Sequence, residues 1–219
     1  MIMKKLYIAV AAVVIVISAG AFYALRPLTA PEVSVPVTPT PAPTVPTATA
    51  TTTGTVYTVL PAESSVTYTL GETLRGKPFT VVGTTKAVTG TLVRSESGMA
   101  GEIKVDAVTL KTDAESRDRA VGRFILESEK PENQFIVFKI ERVTGSAVAT
   151  AVAGQLTVHG ITKPVIFRGT QEIIGEGVLR IKASATVKRG SFRLVIPSIP
   201  FVADVDEDVQ LDADIAFGM

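Results

Sequence analysis

A single histidine is the residue of this sequence best suited to acid–base chemistry. His159 lies between Val158 and Gly160, and no nucleophile or second base accompanies it nearby. Because a general base needs a partner within hydrogen-bond reach, we interpret His159 as a residue that stabilises a turn. The chain also lacks cysteine, which excludes disulfides, thiolate metal sites and thiol nucleophiles. We therefore predict that the protein is not an enzyme, and keep an enzyme that depends on His159 as a third alternative.

A cluster of carboxylates near the C-terminus could bind a metal ion. They are Asp204, Asp206, Glu207, Asp208, Asp212 and Asp214. Calcium takes oxygen ligands of this kind, but the spacing lacks the glycine and the closing glutamate of the known calcium loop. Asp212 and Asp214 alternate with apolar residues, which favours the solvated face of a strand. We predict no metal and no cofactor.

The charge of the chain is balanced. Its 219 residues include 22 lysines and arginines and 21 aspartates and glutamates, for a formal net charge of +1. Nucleic-acid-binding domains concentrate basic residues on one face, and no such cluster occurs here. We therefore predict no nucleic acid among the partners.

Residues 1–26 are predicted to cross or enter a membrane. Lys4 and Lys5 precede an uncharged, mostly apolar run over residues 6–25, and a helix of this length rises about 30 Å, the thickness of the hydrocarbon core. One interpretation is an uncleaved single-pass anchor in the cell membrane with the lysines in the cytoplasm. The other is a signal peptide cleaved at Ala-Gly-Ala, residues 19–21, which leaves a secreted or periplasmic protein. Both place the remaining chain outside the cytoplasm.

Residues 27–53 are predicted to form a disordered linker. They consist mainly of Pro, Thr, Ala and Val. Recurrent proline prevents helices and strand ladders and favours extended polyproline II. We interpret this segment as a semi-rigid spacer between residues 1–26 and the folded part.

Residues 54–219 are predicted to fold as strands. Apolar and polar residues alternate with a period of two, the pattern of strands with one buried and one solvated face. The clearest alternation lies within residues 65–70, 136–142, 155–159, 179–188 and 209–217. A charged stretch over residues 112–122 interrupts the pattern and predicts a short surface helix, with Thr112 or Asp113 as its N-cap. These features indicate an all-β fold, a barrel or a sandwich of antiparallel strands with one helical insertion.

Four motifs follow one another in this folded part. They are Tyr57-Thr58-Val59 with Ser64–Tyr68; Ser116-Arg117-Asp118-Arg119 with Phe124 and Pro131–Phe135; Gly154–Val165; and Asp208-Val209-Gln210-Leu211. Together they resemble the YceI-like, polyisoprenoid-binding family over nearly all of residues 55–217. Residues 188–192, Lys-Arg-Gly-Ser-Phe, depart from the Arg-x-(Asp/Glu)-Phe-Gly segment usual in that family. The resemblance implies an extended, lipocalin-like antiparallel β-barrel of about eight strands around a long apolar cavity.

The resemblance also implies which residues line the cavity. The expected lining residues are Val66, Tyr68, Phe124, Phe135, Phe138, Ile140, Leu156, Val158, Phe167, Leu179, Ile181, Phe192, Leu211 and Ile215. Arg117 and Asp118 have two interpretations, as solvated helix ion pairs or as residues that contact a head group or close one end of the barrel.

The function expected from these features is extracytoplasmic binding of an isoprenoid or similar amphiphilic lipid, such as a quinone, for transport, storage or sensing. The alternative is a non-catalytic structural or interaction module of the cell envelope, whose barrel is filled by its own side chains. The partners are therefore the lipid and, through residues 1–26, a membrane. The sequence shows no interface signature, so a homodimer is possible but is not predicted by any pattern.

Overall fold

The computed structural model describes residues 54–175, 177–196 and 202–219. The predicted anchor or signal peptide (residues 1–26) and the predicted linker (residues 27–53) lie outside the described residues. In the part of the chain that is described, no helix is both long enough and apolar enough to span a bilayer.

Strands make up most of the described structure. In chain order they are β1 (Thr55–Val59), β2 (Ser65–Leu74), β3 (Lys77–Thr85), β4 (Val88–Ser95), β5 (Gly98–Asp106), β6 (Phe135–Ser146), β7 (Ala149–Val158), β8 (Ile161–Ile174), β9 (Val178–Lys188), β10 (Val202–Ala203) and β11 (Asp208–Gly218). One short α-helix, α1 (Glu115–Ala120), lies between β5 and β6 and continues as a π-helical turn over Val121–Ile125.

The described strands form a closed antiparallel ring of eight positions. Their order is β1-β4-β5-β6-β7-β8-β9-β11, and β11 pairs back to β1. The β2–β3 hairpin extends this wall, because β2 follows β1 along the same edge of β11 and pairs with Gln210–Asp214. The predicted all-β barrel of about eight antiparallel strands with a short helical insertion is therefore confirmed.

A tight bend separates β1 from β2. Pro61–Glu63 form one turn of 3₁₀ helix, and the adjacent Ser64 is 1% exposed. The Ser64 hydroxyl donates to the Leu60 carbonyl at 2.8 Å and accepts from the Ala216 amide at 3.1 Å. These bonds satisfy buried polar groups where the ladder is interrupted, so both strands can share one edge of β11.

The predicted structural role of His159 agrees with its place in the β7–β8 turn. His159 and Gly160 have φ angles of 49° and 72°, the conformation of a two-residue type I′ hairpin turn. The hydroxyls of Thr157 and Thr162 lie 2.8 Å apart across this hairpin. His159 Nε2 lies 3.1 Å from Glu127 Oε2, so the turn also contacts the segment that follows α1.

The start of α1 differs from the prediction. Ala114, not Thr112 or Asp113, is the N-cap residue, and it makes no side-chain capping bond. The Thr112 amide and hydroxyl instead donate to the carboxylate of Asp118, each at 2.8 Å. Thr112 is therefore already used as a donor to the helix, and the expectation that it caps the helix N-terminus is wrong.

The solid part of the core lies at one end of the barrel. There β1, β4 and the C-terminal part of β11 meet, and β9 pairs with β11 at Leu179 and Phe217. The buried residues of this end are Tyr57, Val59, Leu92, Leu179 and Phe217. Large inward-facing side chains pack against one another here, whereas α1 lies toward the opposite end of the barrel.

Candidate binding cavity

The barrel encloses a cavity of about 600 Å³. This volume lies within the range typical of small-ligand sites, about 300–1,000 Å³. The lining is almost wholly aliphatic and aromatic, and its polar or charged members are Tyr68, Glu72, Ser116, Arg117 and Arg189. Such a wall has little capacity to hydrogen-bond water or a polar solute, so it suits an apolar ligand.

Alternation along β11 shows how the strands build this wall. Val209, Leu211, Ala213, Ile215 and Phe217 all line the cavity, because successive side chains of a strand point to opposite faces. The eight residue steps from the first to the last span about 26 Å along the strand at about 3.3 Å each. The cavity is therefore elongated, with its apolar far end at the Phe217 side.

Helical residues cover the other end. Ala114, Ala120, Val121, Ile125 and Leu126 line the cavity from α1 and the π-helical turn after it. The three charged lining residues also belong to this end, which we call the helix end: Glu72 near the end of β2, Arg117 on α1 and Arg189 directly after β9. The cavity therefore has an apolar end and a charged end.

Arg117 is held by two carboxylates. Its Nη2 lies 3.2 Å from Glu72 Oε1, and its Nη1 contacts the carboxylate of Asp113, four residues earlier. The guanidinium carbon also lies 5.3 Å from the centre of the Phe79 ring, a cation–π distance. The side chains of Arg117 and Glu72 are 19% and 9% exposed, so this ion pair belongs to the cavity wall rather than to the open surface.

Arg189 organises the segment after β9. Its Nε donates to the Asp206 carbonyl at 3.1 Å and its Nη1 to the Leu194 carbonyl at 3.2 Å. Its Nη2 lies 3.3 Å from the Glu207 carboxylate. The donors of Arg189 thus hold the polypeptide in place at the cavity rim.

Asp118 does not line the cavity, but it attaches α1 to the preceding segment. Burial opposes ionisation of this carboxyl, yet the hydrogen bonds from Thr112 and the nearby Lys111 and Arg117 outweigh burial, so its pKa lies below the ordinary value. Its side chain is 8% exposed. Of the two residues expected at a head group or barrel end, Arg117 contacts the cavity and Asp118 positions the helix that bears it.

Tyr68 introduces a polar atom into the apolar wall. Its ring occupies the space beside Gly83, where an added methyl group would lie 2.2 Å from Tyr68 Cε1. Within the described residues its hydroxyl is buried without a hydrogen-bond partner. Burial, assisted by the charges of Asp118 and Glu72 and opposed by Arg117, raises the pKa of Tyr68 to about 12. The phenol therefore stays neutral at physiological pH.

Most of the expected lining residues come together in this cavity. Those that line it are Val66, Tyr68, Phe138, Ile140, Leu156, Val158, Phe167, Ile181, Phe192, Leu211 and Ile215. Leu179 faces inward but belongs to the solid end of the core. Whether any of these residues contacts a lipid stays a prediction.

Two expected lining residues lie elsewhere. Phe135 is 41% exposed and Phe124 is 61% exposed. Phe135 has the opposite strand parity to Phe138, which faces inward. Phe124 lies in the π-helical turn with its ring 5.6 Å from the Arg123 guanidinium carbon. The expectation that these two rings line the cavity is therefore corrected.

Sequence reasoning also missed lining residues that the structure reveals. On β2, Leu70, Glu72 and Leu74 continue the inward row begun by Val66 and Tyr68. Strict extension of the period of two along that strand would have found them. No such signal existed for Arg189, because its position depends on contacts made after β9 ends.

The acidic residues near the C-terminus do not form a metal site in the described part of the chain, where no group of three or more potential ligands is suitably placed. Asp214 instead accepts from Arg180 Nε and Nη2 at 2.6 and 2.8 Å. Asp208 lies 2.8 Å from Lys188 Nζ. These carboxylates are used in cross-strand ion pairs on the outer face of the barrel.

Comparison with known proteins supports the fold. A family model described as YceI-like domain matches residues 57–217. The chain is similar to the crystal structure of BcnA from Burkholderia cenocepacia, with a TM-score of 0.59, 14% identity, and coverage of 72% of this chain and 98% of that chain. It is also similar to a polyisoprenoid binding domain from Saccharophagus degradans implicated in plant cell wall breakdown, with a TM-score of 0.60, 12% identity, and coverage of 74% and 97%. No curated protein matches the sequence.

Proposed function

The chain belongs to the YceI-like domain family, and on that premise we propose that it binds an isoprenoid or similar amphiphilic lipid inside its barrel. The observation behind this proposal is the elongated cavity of about 600 Å³ with an almost wholly apolar wall. A filled barrel, the alternative, is difficult to reconcile with that volume. The described residues supply binding surface, and we propose binding rather than catalysis as the activity.

Burial of the lipid chain supplies the affinity. Each methylene moved from water into an apolar site contributes about 0.8 kcal/mol. The lining side chains, such as Leu156, Phe167 and Ile181, are already buried in the barrel, so little conformational entropy is lost when the lipid enters. Part of one prenyl chain is therefore enough for stable binding.

The distribution of charge orients the lipid. The tail lies toward Phe217 and Ile215, where the wall is apolar, and the head group lies toward Glu72, Arg117 and Arg189. The reverse orientation places a polar head against side chains that cannot hydrogen-bond to it, which is costly.

The experiment begins with the full chain purified from a bacterial host. We expect native mass spectrometry and solvent extraction to show a bound prenyl lipid or quinone. Protein that stays free of ligand, even after incubation with quinones, would rule out the proposal.

A cavity-filling substitution localises the binding. Ala213 lines the cavity beside Ala183 on the neighbouring strand, so Ala213→Phe fills the space that the lipid needs. We expect at least a tenfold loss of affinity, with the circular dichroism of a folded barrel retained. The matched control is Ala153→Phe on β7. Val152 and Gly154, the residues on either side of Ala153, are buried, so Ala153 lies on the opposite, outer face of the strand. It adds the same ring outside the cavity, and lipid affinity should not change.

We also propose that residues 1–26 anchor the protein or direct its export, so that the barrel lies outside the cytoplasm near the membrane that supplies the lipid. The support is the apolar run that follows Lys4 and Lys5. Protease added to intact spheroplasts should digest the domain. A fully protected domain would contradict this location.

A further inference from the structure

We propose that the helix end of the cavity selects lipids with uncharged head groups over prenyl phosphates, because Glu72 acts as an internal counter-ion that already occupies Arg117. This inference rests on the proposed function, since it concerns which head group the same cavity accepts. Arginine is the residue best suited to bind a phosphate, through paired donors on its planar guanidinium. The decisive question is therefore whether the cavity arginines have donors to offer.

Each terminal nitrogen of Arg117 already has a carboxylate partner. Nη2 contacts Glu72 at 3.2 Å, Nη1 contacts the Asp113 carboxylate, and the Phe79 ring lies 5.3 Å from the guanidinium carbon. A bidentate phosphate needs two adjacent N–H groups. A phosphate on the edge formed by Nη1 and Nη2 therefore competes with both carboxylates for those N–H groups, and Glu72 is only 9% exposed, so a displaced Glu72 charge has little water to enter.

Arg189 offers no better site. Its Nε and Nη1 donate to the carbonyls of Asp206 and Leu194, and its Nη2 lies 3.3 Å from Glu207. A phosphate that took these donors would detach the segment that Arg189 holds at the cavity rim. Both arginines that line the cavity are therefore committed to the protein itself.

The surrounding charge also disfavours an anion. Glu72 and Asp113 place two carboxylates on the single cation Arg117. Burial is the main reason that ionisation of the neighbouring Tyr68 phenol is suppressed; the charge of Asp118 adds to this effect, and the charge of Arg117 opposes it. A phosphate head group would bring one or two more negative charges into this partly desolvated place, whereas an alcohol or quinone brings none.

The test compares two ligands with the same tail. Geranylgeraniol and geranylgeranyl monophosphate compete against the neutral fluorophore N-phenyl-1-naphthylamine for the full chain. We expect the alcohol to bind at least tenfold more tightly than the monophosphate. In Glu72→Gln, Arg117 loses one of its two counter-ions, so this ratio should fall about tenfold, mainly through tighter binding of the phosphate.

The matched control is Glu115→Gln. It also removes one negative charge, but from α1 and not from the cavity wall. Glu115 is 90% exposed and pairs with Arg119, so the ratio of the two ligand affinities should not change. Thermal melting verifies that each variant is folded. If Glu72→Gln does not fold, Asp113→Asn removes the other counter-ion of Arg117 at a side chain that is 64% exposed, and the ratio should fall in the same direction.

The outcomes separate the two proposals. Equal affinity of the wild-type protein for both ligands, or an unchanged ratio in the folded variants, overturns the head-group inference and leaves lipid binding intact. Failure of both ligands to displace the fluorophore overturns the proposed function itself.

Discussion

Two ion pairs of this barrel join residues that lie far apart in the sequence. On the outer face, Arg180 and Asp214 form a bidentate contact between β9 and β11 at 2.6 and 2.8 Å. On the inner face, Arg117 and Glu72 join α1 to β2. The same pairing chemistry thus stabilises the wall on one side and sets the polarity of the cavity on the other.

The outer pair gives a pH-dependent prediction. The hydrogen bond from Arg180, opposed by partial burial and assisted by Lys182, holds the pKa of Asp214 below its ordinary value of 3.8. A carboxyl whose pKa is lower in the folded state stabilises the fold above the unfolded-state pKa, and this contribution is lost as pH falls through the folded-state pKa. Asp214→Asn should therefore lower the free energy of unfolding at about pH 7, and the difference from wild type should shrink at an acid pH below 3.8.

Urea unfolding at both pH values measures that difference. Asp208→Asn is the control, because its pair with Lys188 has both side chains more than half exposed and such pairs contribute little. An Asp214→Asn deficit that is equally large at both pH values would show that lost packing, rather than the ion pair, causes it.

The element that separates the cavity from its surroundings at the helix end is α1 with its π-helical turn. A helix of six residues is too short to be stable by itself in water. Its position therefore depends on tertiary contacts: Asp118 to Thr112 at its start, Arg117 to Glu72 beside the cavity, and Glu127 to His159 after its end. Each contact joins the helical segment to a different part of the chain.

Loss of the first contact should loosen this segment. In Asp118→Asn the buried carboxylate that accepts two bonds from Thr112 becomes a neutral amide. Hydrogen bonds to charged groups contribute about 1.5–3 kcal/mol, so we expect local opening to become easier by about 1–2 kcal/mol. Hydrogen exchange of amides 115–126 should rise about tenfold or more and lipid release should accelerate, whereas Glu115→Gln leaves both unchanged. If these amides exchange at the wild-type rate in Asp118→Asn, Asp118 does not anchor the helix.

The barrel of the described residues combines a packed core beside β1 and β4 with an internal cavity. Tyr57, Leu92 and Phe217 fill one end of the ring, where Phe217 also forms the cavity floor. Such an arrangement leaves lining atoms without close neighbours and forgoes the dispersion contacts that a packed interior provides. A ligand restores them, so the free energy of unfolding should depend on lipid concentration.

Thermal unfolding tests this coupling. At a free lipid concentration about 100 times Kd, ligand binding adds about 2.7 kcal/mol to the free energy of unfolding. For a domain of this size that corresponds to a rise in Tm of roughly 5–10 °C. Ala153→Phe should show the full rise, and Ala213→Phe should show little or none. A rise in Tm that persists in Ala213→Phe would place the lipid outside the cavity.

Much of the fold was predictable because its signal is local. The period of two along β9 and β11 assigns each side chain to a face without knowledge of the partner strand. The family resemblance carried by motifs such as Gly154–Val165 implies a hollow barrel. The same local rule, applied strictly, would have excluded Phe135 and found Glu72. The helical insertion was also predicted, although its N-cap was not, because Thr112 is used by Asp118 instead.

The sequence by itself determined the strands, their two faces and the family to which the chain belongs, because these depend on neighbouring residues. Only the tertiary structure decided which inward-facing residues fill the barrel and which leave it hollow. Leu179 and Ile181 share one face of β9, yet only Ile181 lines the cavity. The tertiary structure also decided that Glu72 pairs with Arg117, 45 residues away in the sequence. Both outcomes depend on closure of the ring, which brings distant residues together at distances that no local pattern encodes.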